Sequence, residues 1–484
     1  MTVTAPSTRL DETLSRVEAE LARWHVPGLE LAVVADGGTV FAGGFGGCGV
    51  DDPAPVAAST LFHHGSCGKA YTGLLATLLA EEGRLDLDEP VRRQVPELRL
   101  PDPFIADRVT VRDLLSHRSG LGRHDLAWIF NPSWSRAELI ARMEHLPLTG
   151  DLRATWSYSN LGYALAGEVI GRVTGSSWEE QLRRRVFDVL GMRRSTNQVQ
   201  DLIADADAAR PHIVRDGTAR RTLHRILDAA APAGEVISCA DDSLRWLHAQ
   251  LGDGPLSADA VRSTQQPQML LPPGVTPFPE FDFVGYGFGW ISGTYRGRPL
   301  VWHNGGVDGF TTYTVLLPAQ RIGLLASANV FPTDLPFATV LALADALICE
   351  VSEPSWFDRL HPDQAAKGDG AAAPAPPAPR SAAGPVAAPP PSHELAAYAG
   401  RFRHLGFGDL RVGVAEGELT ARLGEFDVEA RHRHYDTWDL HYDPLDVDLT
   451  MTFETGADGC VVGVSALLDD GSGPLRFGRV ESEE

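Results

Sequence analysis

The stretch LFHHGSCGKAYTG, residues Leu61 to Gly73, holds one of only two lysines in a chain that carries 42 Lys plus Arg. The other, Lys367, lies in a low-complexity run, so arginine supplies every other positive side chain. A lysine kept where arginine is the rule points to a property arginine lacks. Ser66 and Lys69 stand three residues apart, and the helical pattern from Ser66 to about Gly83 puts both side chains on one face. A serine hydroxyl needs a base to become a nucleophile, and a neutral amine one turn away can take its proton. Lysine holds its own proton up to about pH 10.4. A site that uses it this way must depress that value by burial, a helix N-terminus or a second cation. Arginine is excluded from the role, because its guanidinium stays protonated in proteins.

Outward from this stretch, Leu10, Leu14, Val17 and Leu21 recur at helical spacing near the N-terminus. LELAVVADGGTVFAGGFG (29–46) then reads as a hairpin turning at Asp36-Gly37-Gly38. TVRDLLSH (110–117) opens a helix through the capping-box spacing of Thr110 and Asp113. Helical patterns continue through SNLGYALAGEVIGRVTG and WEEQLRRRVFDVLG. Strands return in YGFGWISGTYRGRPLVWHNGG and TTYTVLLPAQRIGLLASAN, before a closing helix over about 337–351. Strands, helices and strands again predict one sheet assembled from both ends of the segment, an α/β unit over residues 1–360. Residues 361–391 form an Ala/Pro-rich linker. Alternating runs joined by glycine-containing turns predict a small antiparallel β-barrel over 392–484.

Two further motifs carry chemistry. In WSYSNLGY, Tyr158 and Asn160 precede a helix, with Ser159 placed to cap it. A phenol there can relay a proton and a carboxamide can orient an acyl group; a core tyrosine beside an ordinary cap fits the same residues. In VWHNGGVDGF, His303, Gly305 and Gly306 fall within a strand pattern. Glycines there mark a place where a ligand approaches the backbone, or equally a β-bulge beside a satisfied histidine. A backbone N–H at this point, with that of Ser66, would make an oxyanion hole.

The order Ser-x-x-Lys, Tyr-x-Asn, His-x-Gly, with gaps of about ninety and one hundred and forty-five residues, resembles the serine β-lactamase and penicillin-binding protein superfamily, in its class C-like branch. That branch includes class C β-lactamases, D-aminopeptidases, D-Ala-D-Ala carboxypeptidases, family VIII carboxylesterases and penicillin-binding-protein-type peptide cyclases. LLSHRSGL, YSNLGYALAGEVIGRVTG, YGFGW and HNGGVDGF look like signatures of the same family, over about 10–351. The resemblance implies a β-lactamase-like antiparallel sheet flanked by helices with a helical subdomain, and the trailing barrel is similar to lipocalin-like domains. It also implies roles. Ser66 would be the nucleophile, Lys69 its base and Tyr158 the proton relay. Asn160, His303, Gly305 and Gly306 would bind substrate, the Ser66 and Gly306 amides forming the oxyanion hole. No cofactor and no metal are expected. The activity implied is a serine acyl hydrolase acting on an ester, β-lactam or D-amino-acid peptide. The alternatives are acyl transfer to an amine, as in a peptide cyclase, or a non-catalytic ligand-binding or sensor protein. His63, His64 and Cys67 depart from the pattern, and packing beside the helix start is the role expected of them.

Composition removes other classes. The formal charge of −22, from 64 acidic against 42 basic residues, repels nucleic acid and anionic lipid, leaving a small molecule or peptide as the partner. The N-terminus lacks a basic region followed by an apolar run, and five scattered cysteines suit neither a disulfide framework nor zinc. The cytoplasm is the compartment expected. GFGGCG (44–49) matches G-x-G-x-x-G, but the prolines after it leave no phosphate-binding helix. HExxH and G-x-S-x-G are both missing.

Overall fold

The computed structural model describes residues 6–273, 278–361, 389–445, 447–468 and 473–481. The linker expected at 361–391 falls almost wholly outside them. A first helix, α1 (Pro6–Arg23), leads into strands β1 (Gly28–Ala35), β2 (Gly38–Gly49) and β3 (Asp52–Pro55). Asp36 and Gly37, both with positive φ, make the two-residue hairpin turn between β1 and β2. After the helical region the chain returns as β4 (Met269–Leu270), β5 (Phe281–Tyr286), β6 (Ile291–Tyr295), β7 (Arg298–Val307), β8 (Phe310–Leu317) and β9 (Ile322–Ala328). These nine strands form one sheet in the order β3-β2-β1-β9-β8-β7-β6-β5-β4. The two ends of the segment meet where β1 pairs antiparallel with β9, Leu29 opposite Ala328 and Val34 opposite Gly323.

Helices cover both faces of the sheet, which explains why β1 reads as a nearly unbroken apolar run. Leu29, Leu31 and Val33 join α1 and the closing helix α5 (Leu335–Leu347) in one core. Ala32 and Val34 face the other core, which contains α2 (Lys69–Glu81), α3 (Asn160–Thr174) and α4 (Ala240–Gln250). Two boundaries differ from those read in the sequence. The closing helix starts and ends earlier than 337–351: Pro336 occupies the first turn, where proline is tolerated, and the chain leaves the helix at Ile348, its C-cap, before Cys349 at φ +59°. The helix read from Ser66 begins in fact at Lys69; Gly65–Gly68 form a 3-10 turn in front of it.

Residues 400–480 close into an eight-stranded antiparallel barrel, sealed where Gly400–His404 pairs with Leu475–Val480. Alternating side chains such as Leu410, Val412, Met451, Phe453 and Phe477 fill its interior. The barrel rests on the helical side of the sheet unit. Phe407 meets His124 edge-on at 5.9 Å, and Glu425 N–H donates to Phe130 O at 2.8 Å. Asp443 pairs with Arg215, and Thr222 Oγ1 donates to Pro444 O at 2.7 Å. Among the described residues no helix is long and apolar enough to cross a membrane.

Candidate active site

The Gly65–Gly68 turn presses against β7 so closely that side chains have no room. A Cβ on Gly65 (φ +53°) would stand 3.0 Å from Gly306 N, and one on Gly305 would fall 2.0 Å from His64 O. Backbone packed on backbone brings the amides of Ser66 and Gly306 to the same small region. Ser66 stays partly exposed and Gly306 is exposed, whereas Lys69 is completely buried.

Lys69 Nζ lies 2.9 Å from Ser66 Oγ and donates to Ala233 O at 2.6 Å. It sits over the rings of Tyr158 (4.7 Å) and Tyr163 (5.3 Å). Burial pushes the ammonium well below its ordinary value; Asp125 opposes the shift and Arg123 adds to it. Tyr158 moves the other way. As a residue it is half-buried, but around its hydroxyl burial dominates and raises the phenol, against a hydrogen bond with Ser66 and the charge of Arg123. Arg123 stacks over the Tyr158 ring at 5.6 Å and pairs with Asp125 at 2.6 Å.

Ser159 caps α3 by accepting from Gly162 N–H, as its sequence position suggests, and Asn160 is the first residue of that helix rather than one preceding it. Asn160 Nδ2 donates to Asp125 Oδ1 at 2.8 Å, while its buried Oδ1 has no hydrogen-bond partner among the described residues. His303 is buried in β7. Its Nε2 meets Tyr286 Oη at 2.8 Å and its Nδ1 is 2.5 Å from Asn304 O. Burial, with Lys69 adding to it, drives this imidazole down to about 3, so it is neutral at physiological pH. Cys67 points away from the opening toward His303 O (3.4 Å), and burial pushes its thiol up to about 12.

The structure therefore brings Ser66, Lys69, Tyr158, Asn160, His303, Gly305 and Gly306 together. It adds residues that received no role from the sequence. His117, from LLSHRSGL, accepts from Ser159 N–H at 3.1 Å and lies 4.4 Å from the Tyr158 ring. Tyr286, from YGFGW, contacts both His117 and His303. Asp125 and the Ala233 carbonyl also border the lysine. His117 and Tyr286 stood inside recognisable signatures; Asp125 and Ala233 had no local signal, since a carbonyl and an ordinary acidic residue carry no pattern. Asp113 braces this wall, paired with Arg118 at 2.7 Å and Arg153 at 2.9 Å and capping its own helix through Thr110. No group of three or more His, Cys, Asp or Glu residues suited to a metal ion occurs among the described residues.

A family model described as Beta-lactamase matches residues 14–347, and one described as a domain of unknown function (DUF3471) matches residues 384–472. The chain is 28% identical over 460 residues to Unguisins hydrolase ungD of Aspergillus violaceofuscus (strain CBS 115571), covering 86% of this chain and 79% of that protein. Among solved structures, the octameric penicillin-binding protein homologue from Pyrococcus abyssi superposes with a TM-score of 0.63 at 21% identity, covering 97% of this chain and 99% of that one. D-amino acid amidase from Ochrobactrum anthropi SV3, complexed with L-phenylalanine amide, superposes with a TM-score of 0.59 at 24% identity, covering 70% of this chain and 99% of that one. The antiparallel sheet with helices on both faces, a serine and a buried lysine at the head of α2, and a family match across most of the sheet unit lead to one assignment: the chain belongs to the beta-lactamase family of serine hydrolases.

Proposed function

We propose that the chain cleaves an ester or amide bond of a small molecule or peptide through an acyl-serine intermediate on Ser66. The observation that carries this reading is a fully buried amine, Lys69 Nζ, 2.9 Å from a serine oxygen that stays partly open. The opposite shifts of the two titratable neighbours divide the roles. Burial lowers the proton affinity of Lys69 and so favours the neutral amine that can accept a proton; burial raises Tyr158, which favours the phenol that can pass one on.

Ser66 Oγ attacks the substrate carbonyl carbon while its proton moves to Lys69 Nζ. The carbonyl oxygen, now negative, takes the N–H groups of Ser66 and Gly306. When the C–O or C–N bond breaks, the leaving group takes its proton from Lys69 by way of Tyr158. Water then attacks the acyl ester, gives a proton back through the same relay, and releases the carboxylic acid with Ser66 restored. Asn160 Oδ1, buried and without a hydrogen-bond partner among the described residues, offers an acceptor to a substrate N–H. That feature favours an amide-containing substrate, as does the likeness to a D-amino acid amidase.

Intact-mass measurement with a panel of acyl esters, D-peptides, peptidyl thioesters and a penicillin should reveal a covalent adduct, and peptide mapping should put it on Ser66. A label on Cys67 alone, or no adduct with any member, would refute serine chemistry.

A further inference from the structure

His63 and His64 immediately precede the Ser66 turn, take no part in the chemistry above, and are 2% and 1% exposed. Each faces a buried glutamate. His64 Nε2 lies 3.0 Å from Glu30 Oε2, and the other oxygen of Glu30 accepts from Ser243 Oγ at 3.0 Å, which ties His64 to β1 and α4. His63 Nε2 lies 3.7 Å from Glu235 Oε2, two residues beyond the carbonyl that receives Lys69. The histidine pair is thus held from two sides, by the sheet and by the segment that closes over the lysine.

The contact that gives this arrangement a consequence is short and specific: Gly65 N–H donates to His63 Nδ1 at 3.1 Å. An imidazole that accepts at Nδ1 carries its proton at Nε2. That atom faces Glu235, so the carboxylate favours the one tautomer able to hold Gly65. At 3.7 Å the two are close enough for electrostatic attraction but not for a hydrogen bond, and neither Glu235 oxygen, nor His63 Nε2, has a hydrogen-bond partner among the described residues. Burying such groups without partners is costly, and apolar packing in their place would avoid that cost.

We propose that His63, with its tautomer set by Glu235, is a positioning residue for the Ser66 turn. It fixes the Gly65 peptide and thereby aims the next amide, Ser66 N–H, at the place where the oxyanion forms. The inference rests on the acyl-serine reading, and the experiment separates the two.

In the full chain, His63→Leu removes the acceptor, while His63→Asn keeps one at the Nδ1 position. Single-turnover acylation by a nitrophenyl ester yields the acylation rate constant and the ester's dissociation constant separately. The expected result for His63→Leu is a loss of acylation of about tenfold or more, in line with the cost of a misplaced reacting group, with ester binding within about twofold. His63→Asn should stay within about threefold of wild type at a similar melting temperature. Wild-type acylation in His63→Leu, or equal losses in both variants that track their melting temperatures, overturns the proposal in favour of packing. If His63→Leu does not fold, Glu235→Leu carries the test, since it releases the tautomer and leaves the ring in place; a folded Glu235→Leu with wild-type acylation again overturns it. A wild-type chain that takes no label at Ser66 sinks the acyl-serine reading and this inference with it.

Discussion

Lys69 differs from the chain's arginines in one respect that matters here: it can lose its proton. Burial favours the neutral amine, and Nζ, which donates to Ala233 O, lies 2.9 Å from Ser66 Oγ, close enough to take the serine proton once neutral. Lys69→Arg keeps the charge and nearly the same helix propensity, so the variant should fold with a melting temperature little changed. A general base contributes about 10²–10⁴-fold, and the arginine variant should accordingly lose more than about a hundredfold in acylation rate. Retention of more than about a tenth of that rate would remove the base assignment. The choice of lysine over arginine at position 69 was readable from composition and spacing alone. The burial that makes the choice work was not.

Strand β7 and the entry to α3 show how secondary structure carries the site. His303 occupies a fully buried position in β7, and its folded-state value of about 3 lies below the ordinary value of about 6.5. Between those values the unfolded chain binds a proton that the folded chain does not. Stability therefore falls as pH drops from about 6.5 towards 3, by at most about 1.4 kcal/mol per pH unit for this group, and is unaffected by it above 6.5. Urea unfolding of the wild type and of His303→Gln between pH 4.5 and 7 should show a shallower pH slope in the variant below pH 6. Parallel slopes would mean that this imidazole titrates normally. The histidine-glycine pattern in β7 was legible as a place of close approach, since glycines in a strand leave backbone uncovered. Its reading as a β-bulge does not apply at this point: the β7–β8 register runs without a shift from Val301 to Val307.

The barrel touches two segments of the sheet unit, one of which carries Arg123 and Asp125 beside Tyr158 and Lys69. Phe407 packs on His124, between Arg123 and Asp125, and Pro444 and Asp443 hold Thr222 and Arg215. The turn glycines of the barrel provide a matched test. A Cβ on Gly424 (φ +56°) would stand 2.1 Å from Phe130 O, whereas one on Gly417 (φ +84°) would meet nothing within 4 Å. Alanine at either position pays the left-handed backbone penalty of about 1–2 kcal/mol, but only Gly424→Ala wedges the barrel from the sheet unit. We expect Gly417→Ala to leave turnover unchanged, and Gly424→Ala to alter turnover of bulky substrates while small esters are hydrolysed nearly as before. Equal kinetics for the two variants on both substrate classes would leave the barrel no part in shaping the cleft.

The sheet built from both ends, a small antiparallel barrel and the order of Ser66, Lys69, Tyr158, Asn160 and His303 were all legible in the sequence, because periodicity, turn residues and motif spacing are local properties of the chain; the number of barrel strands, eight, was not. The closing helix was displaced by a few residues and the Ser66 turn was read as helix, since a 3-10 turn and an α-helix share the same short-range pattern. Tertiary structure alone decided which groups are charged and which are aimed. Burial lowers the proton affinity of Lys69, whose Nζ reaches Ala233 O, Asn160 is held by Asp125, and His63 is set against Glu235. The physical reason is common to all three: proton affinity and hydrogen-bond direction depend on what surrounds an atom within a few ångströms. In this fold those neighbours come from positions about thirty-five to one hundred and seventy residues away along the chain.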